Sequence, residues 1–242
     1  MRCLGLDKET EEGMHSGTIT KVERQKRVKD RYNLYIDEQY TFSVHEDILI
    51  KYRLVKGSVI SVEEFKAILY AQEKQQAYLY AIRLLSSRLR SEHELAARLK
   101  QKGYEPAIRT ITIERLRQER YVDDGLFAEQ LTMQRIRSQK KGRNWVKQEL
   151  QHKGLQPEHI VHALGQVDEE TEYRHAFDLA YKKYRIEFAE DSLKARRKAM
   201  GFLARRGYSS SLVSRVMRDL VKAFGAANAD ELEFGVGEFE DY

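Results

Sequence analysis

Cysteine is almost absent from this 242-residue chain, proline occurs twice and tryptophan once. The lone thiol, Cys3, excludes an intramolecular disulfide and any cysteine-based metal site, which fits a reducing compartment. Apolar runs last only a few residues, too few for a membrane-spanning helix. Residues 1–16, read as a flexible N-terminus, are charged and lack the apolar stretch of a signal peptide, so the cytoplasm is expected; whether translation starts at Met1 or Met14 stays open. The signatures of common chemistry are missing too: there is no GxxxxGK[ST], no HExxH and no GxSxG. Gly235-x-Gly237 is a lone pair in an acidic segment. His159 and His162, three apart on a helix and near His152, lie within reach of one metal, against the simpler reading of solvated histidines. Asp168-Glu169-Glu170 stands at a helix boundary, where it suits the N-terminal dipole better than acid–base work. The chain therefore reads as a protein without catalysis, metal or cofactor, and as a monomer that works by binding another macromolecule.

Charge is plentiful and unevenly placed. Lys+Arg exceeds Asp+Glu by 43 to 38, and the excess belongs to the middle. Residues 1–76 carry 13 of each sign, residues 77–220 carry 29 cations against 19 anions, and residues 221–242 carry 1 against 6. A basic surface attracts polyanions or acidic protein faces over roughly a Debye length, ~8 Å at physiological salt.

The first segment has the short β-branched and aromatic runs of strands at 18–23, 32–36 and 40–44, with Asp37-Glu38-Gln39 turning the chain between the last two. A short helix over 46–52 and a returning strand at 59–61 complete a small β-containing domain, residues 17–61. Residues 62–76 have the composition of a connecting helix.

From Ala77 the period becomes helical and one grammar recurs three times. Leu95-Ala-Ala-Arg-Leu-Lys-Gln-Lys-Gly103-Tyr104, Val146-Lys-Gln-Glu-Leu-Gln-His-Lys-Gly154-Leu155 and Lys198-Ala-Met-Gly-Phe-Leu-Ala-Arg-Arg-Gly207-Tyr208 set their glycines 51 and 53 residues apart. In each, basic residues fill the last helical turn, a glycine suits the left-handed C′ position, and an apolar residue follows. Pro106 and Pro157 stand where the next helix begins, and Ser210 takes that place in the third unit. Ser91 with Glu94 forms a capping box. The stripes Ala77, Ala81, Leu84, Leu85 and Tyr173, Ala176, Phe177, Ala180, Tyr181, Tyr184 mark the upstream helices, with a less regular copy over 126–138. The fold expected is mainly α: three tandem three-helix repeats over 77–122, 123–168 and 169–220, a small β-containing domain before them and an acidic, disordered tail over 221–242.

Each repeat carries a cationic cluster: Arg88, Arg90, Arg98, Lys100 and Lys102; then Arg135, Arg137, Lys140, Lys141, Arg143 and Lys147, with Gly142 allowing the turn; then Arg196, Arg197, Lys198, Arg205 and Arg206. Singly, such residues are usually solvated or dipole-compensating; recurrence in three units favours a binding role for the set. Asp123 and Asp124 are N-cap candidates with Tyr121 and Phe127 packed around them, and Trp145 reads as a core anchor rather than a base-stacking platform.

The element Tyr121-Val-Asp-Asp-Gly-Leu-Phe-Ala128, the basic stretch from Arg135 to Arg143, Lys153-Gly154-Leu155 and Arg205-Arg206-Gly207-Tyr208 together resemble the RecX regulatory proteins. The resemblance covers about residues 77–220, and the N-terminal part resembles an extra domain of some Gram-positive members. It implies a curved array of three-helix repeats lying along the groove of the RecA recombinase filament on single-stranded DNA. It further implies modulation, usually inhibition, of filament growth, ATP hydrolysis and strand exchange. The alternative from the residues themselves is a direct DNA binder whose units act as helix-turn-helix modules.

Overall fold

The computed structural model describes residues 16–233, with side chains as far as Phe224. The readings of Cys3, of residues 1–15 and of 234–242 lie outside them. Four strands, β1 (Gly17–Arg24), β2 (Arg31–Ile36), β3 (Gln39–His45) and β4 (Val59–Ile60), form an antiparallel sheet in the order β3-β2-β1-β4. The β2–β3 hairpin turns on Asp37 and Glu38, both left-handed with φ 48° and 69°. A two-residue hairpin loop of this hand normally takes Asn or Gly. Strand β1 holds the unusual pair: the Thr18 N–H donates to Asp37 Oδ1 at 3.1 Å and the Glu38 N–H to Thr20 Oγ1 at 2.9 Å. Helix α1 (Glu46–Lys51) follows, and Ile19, Leu34, Phe42 and Val44 of the sheet pack on Ile48, Phe65 and Ile68.

Helix α2 (Val62–Ser87) starts at a complete capping box between Ser61 and Glu64. The connecting helix expected over 62–76 and the first helix of the first repeat are one 26-residue helix, because nothing in it breaks the backbone ladder: it contains neither Gly nor Pro. Only its partner changes along its length. Ala71 closes the β-domain core, whereas Ala77 and Ala81 are fully buried against α3 (Glu92–Lys102) and α4 (Pro106–Gln118) with Leu95, Leu99, Ile108 and Leu116. A polar seam ties the two parts: buried Gln75 donates to Asp47 Oδ2 at 2.8 Å and accepts from Arg115 Nη1 at 3.1 Å.

The chain divides into two compact units after Val122. In the second, α5 (Asp124–Met133) runs into a π-helical turn, Gln134–Ser138, followed by α6 (Arg143–His152) and α7 (Pro157–Gly165). Then come α8 (Glu169–Glu190), α9 (Ser192–Arg205) and α10 (Ser210–Glu233). The caps agree with the sequence: Gly103, Gly154 and Gly207 have φ 96°, 74° and 88°, and Pro106 and Pro157 open their helices. Asp123 accepts from the Leu126 N–H at 2.9 Å, and Asp191 closes α8 while capping α9. Leu212, Val213, Val216, Met217 and Leu220 are buried against Ala176, Ala180, Ala199 and Leu203, each large side chain contributing about 1.5–3 kcal/mol of apolar burial.

Three expectations are corrected. Tyr121 does not pack around the Asp123 cap, being 53% exposed, whereas Phe127 is buried with Leu131, Val146 and Leu150. Gly142 is not the residue that makes the turn: its φ is −80°, and the left-handed position falls on Lys140 at 49°. The helix does not end near Leu220 but continues to Glu233, since the Ala- and Glu-rich stretch after Val221 is composed largely of helix formers and lacks proline.

Candidate nucleic-acid interface

The basic residues divide into those that hold the fold and those left free. In the first unit most are engaged. Arg88 forms a two-pronged pair with Glu94 at 3.0 and 3.2 Å, Arg90 donates to the Leu84 carbonyl at 3.2 Å, and Arg98 reaches Gln101 at 2.9 Å. The Lys102 ammonium lies 5.9 Å from the centre of the Tyr80 ring. Burial holds the Arg90 guanidinium below its usual range.

In the second unit, Arg135 grips Glu149 through Nε and Nη2, both at 2.7 Å, and this charge-assisted pair raises the Arg135 pKa. The pair closes the π-helical turn onto α6. Arg143 anchors buried Glu172 on α8: its backbone N–H donates to Oε1 at 2.8 Å, and Nε stands 2.9 Å from Oε2. That second contact is coulombic, since the Nε–H has no well-aligned acceptor. The Arg143 Nη2 also donates to the Val167 carbonyl at 2.5 Å. Burial outweighs these partners and raises the Glu172 pKa.

A second joint lies where the Gly207 turn meets the start of α6. Helix α6 has no side-chain cap; instead the Gly142 N–H donates to the Arg206 carbonyl at 2.9 Å and the Asn144 N–H to the Gly207 carbonyl at 3.0 Å. Unpaired donors at one helix start thus meet carbonyls just past the end of α9, so the positive end of one helix dipole lies beside the negative end of the other. The approach requires glycine on both sides. A Cβ on Gly142 would stand 2.3 Å from the Gly207 backbone, and one on Gly207 2.3 Å from the backbone of Trp145. Arg206 donates through Nη2 to the Gln139 carbonyl and through Nε to that of Lys140, which also accepts from the Tyr208 hydroxyl at 2.8 Å. These bonds hold Lys140 in its left-handed conformation and aim its side chain, with Nζ 4.0 Å from Asp178. Half-buried His175 beside it has an unpartnered Nδ1, and burial, then Lys140, lowers its pKa.

Around this frame, Lys141 lies 4.1 Å from the centre of the Trp145 ring. Arg137, Lys147, Arg196, Arg197 and Arg205 are exposed and have no hydrogen-bond, ion-pair or ring partner among the described residues, whereas Lys198 reaches Glu187 at 2.7 Å. Of the middle cluster, therefore, Arg135 and Arg143 are framework and Arg137 and Lys147 are available. Sequence reasoning missed Glu172, Tyr208 as a hydrogen-bond donor and the glycine joint; only the Gly207 cap signal pointed near them. His162 pairs with Glu129 at 3.1 Å, and among the described residues no cluster of three or more His, Cys, Asp or Glu could hold a metal. No described helix is long and apolar enough to cross a membrane.

Comparison with known families decides what such a frame belongs to. Residues 17–61 match the regulatory protein RecX N-terminal domain, and residues 77–116, 123–164 and 170–217 match the first, second and third three-helix domains of RecX. The chain belongs to the RecX family. It is 36% identical over 206 residues to the regulatory protein RecX of Bacillus cytotoxicus, covering 84% of this chain and 76% of that one. The RecX of Bacillus cereus strain B4264 gives the same identity and coverage. A crystal structure of regulatory protein RecX superposes with a TM-score of 0.70 at 30% identity, over 83% of this chain and 98% of that one. RecX from Lactobacillus salivarius shares the fold at 21% identity, with a TM-score of 0.58 over 62% and 97% of the respective chains.

Proposed function

We propose that this RecX-family chain is a non-enzymatic regulator that binds the RecA recombinase filament on single-stranded DNA. In this reading it is a cytoplasmic monomer that restrains filament assembly, ATP hydrolysis and strand exchange during recombinational repair and the SOS response. Family membership supports the class of protein, and the family's name supports a RecA-related role. The structural observation that carries the binding is the set of five unpartnered cations, Arg137 and Lys147 on one repeat and Arg196, Arg197 and Arg205 on the next. Exposed cations without carboxylate partners contribute little to folding, and they are free to meet phosphate oxygens or acidic protein surface. Arg88, Arg90, Arg98 and Lys102 of the first repeat are assigned secondary contacts, since each already has a partner.

Fluorescence anisotropy of a labelled single strand, with and without RecA and a non-hydrolysed nucleotide, tests the reading. The filament should capture the chain at least about tenfold more tightly than bare strand does. Equal affinity for bare DNA, with log K falling by about 0.9 per phosphate contact per log unit of salt on duplex, would favour the direct DNA binder.

A further inference from the structure

We infer that the acidic C-terminal segment of this chain, residues 225–242, docks on the basic turn between α8 and α9 and competes there with polyanions. The inference concerns the surface itself and goes beyond which polyanion the repeats serve.

The turn is unusual in being both cationic and apolar. Between Lys182 and Lys198 the chain carries seven Lys or Arg against three carboxylates. Arg185, Lys194, Arg196 and Arg197 are exposed with no side-chain partner among the described residues. Beside them Ile186 is 67% and Leu193 78% exposed, the latter the most exposed large apolar side chain of the described fold. Exposed Ile and Leu side chains that alternate along the chain with unpaired cations suit an acidic segment that also carries aromatic residues. Residues 225–242 have that chemistry: six carboxylates (Asp230, Glu231, Glu233, Glu238, Glu240, Asp241), no Lys or Arg, and Phe234, Phe239 and Tyr242.

The path of α10 delivers the segment to this place. Tyr173 donates to Asp219 at 2.8 Å, while Phe224 stacks on Tyr181 at 5.4 Å and on Phe188 at 5.1 Å. Positions increasing along α8 therefore meet positions increasing along α10, and α10 passes Phe224 beside the end of α8, where the basic turn begins. From Phe224 to Glu233 the helix advances about 14 Å, at ~1.5 Å per residue. Residues 234–242 span up to about 30 Å when extended. Residues 234–242 can therefore return from the end of the helix to the turn, with reach to spare. Tethered within about 30 Å of the turn, the segment's carboxylates act at a high effective concentration that a free competitor must exceed.

The full chain tests this in two ways. Zero-length carbodiimide coupling, read by peptide mass spectrometry, should join carboxylates of residues 230–241 to Lys194 or Lys182 within one molecule, and 1 M salt should suppress the products. Separately, a full chain with Asp230→Asn, Glu231→Gln, Glu233→Gln, Glu238→Gln, Glu240→Gln and Asp241→Asn should bind a labelled oligothymidine about tenfold more tightly at 50 mM salt, the gain vanishing near 0.5 M. Measured against a chain that carries only Lys194→Gln, Arg196→Gln and Arg197→Gln with the tail intact, the same six changes should give no gain. Three outcomes would overturn the inference: products with Lys26 and Lys29 of the β domain as abundant as those with Lys194, products only between molecules, or a gain in affinity that survives loss of the three turn cations. The coupling arm involves no DNA or recombinase, so its result stands apart from that of the filament experiment.

Discussion

The glycine joint makes the most demanding prediction. In Gly207→Ala, an alanine must hold φ near +88°, which costs about 1 kcal/mol. Its Cβ would also lie 2.3 Å from the Trp145 backbone nitrogen, so the start of α6 must move away. That movement breaks the 2.9 and 3.0 Å hydrogen bonds from Gly142 and Asn144, worth about 1 kcal/mol each. The total is ~3 kcal/mol. Gly154→Ala, with φ 74° in the same kind of cap but outside this joint, should cost only about 1 kcal/mol. The full chain unfolded in urea and followed by Trp145 fluorescence reads the difference, because the only tryptophan belongs to the second unit. With a slope of ~2 kcal/mol per molar urea, the Gly207→Ala midpoint should fall by about 1.5 M and that of Gly154→Ala by about 0.5 M. Equal, small shifts for the two variants would refute the joint, showing that Gly207 serves only as a cap.

Other predictions separate framework from contact. Arg135→Ala and Glu149→Ala should each destabilise the second unit, and a double-mutant cycle by urea unfolding should show coupling of about 1–2 kcal/mol, above the range of exposed pairs. Arg137→Gln with Lys147→Gln should leave the urea midpoint unchanged yet lower affinity for the filament several-fold in anisotropy, and should flatten its salt dependence. Replacing Lys140, Lys141 and Arg143 together by Glu, the natural choice from sequence, should unfold part of the unit, visible as lost helical circular dichroism, because Arg143 neutralises buried Glu172. The Glu172 carboxyl is raised above its ordinary 4.5, so its contribution is fully present below pH 4.5 and is lost as pH rises through the folded value. Glu172→Gln should accordingly compare least favourably with the parent near pH 4 and more favourably at pH 8, measured as the difference in urea midpoint.

The caps and repeats were legible because each is written locally. Ser91 and Glu94, Pro106, Pro157 and the three glycines specify helix ends by short-range backbone chemistry, and the apolar stripes of 77–85 and 212–220 state which faces are buried. The less regular copy over 126–138 was legible as an irregularity, although only the structure shows it as a π-helical turn. What sequence could not give was contact between segments distant along the chain. Gly142 and Gly207 are 65 residues apart, and nothing local shows that they touch. Glu172 looks like one more acid in a helix start, Arg135 and Arg143 look like their free neighbours, and composition cannot distinguish a guanidinium held by a buried carboxylate from one facing solvent. The cationic clusters were thus visible as clusters, but their division into paired framework and unpartnered cations was not. Likewise, the end of the helical region was placed near residue 220 because composition changes there, whereas the helix formers beyond it carry α10 to Glu233.

The central claim is regulation of a recombinase filament, and the steady-state ATP hydrolysis of RecA on single-stranded DNA measures it most directly. Adding the purified chain at increasing ratios should depress hydrolysis progressively, and a variant lacking the cations Arg137, Lys147, Arg196, Arg197 and Arg205 should require substantially more protein for the same effect. Unchanged hydrolysis at stoichiometric excess of the intact chain would contradict the account.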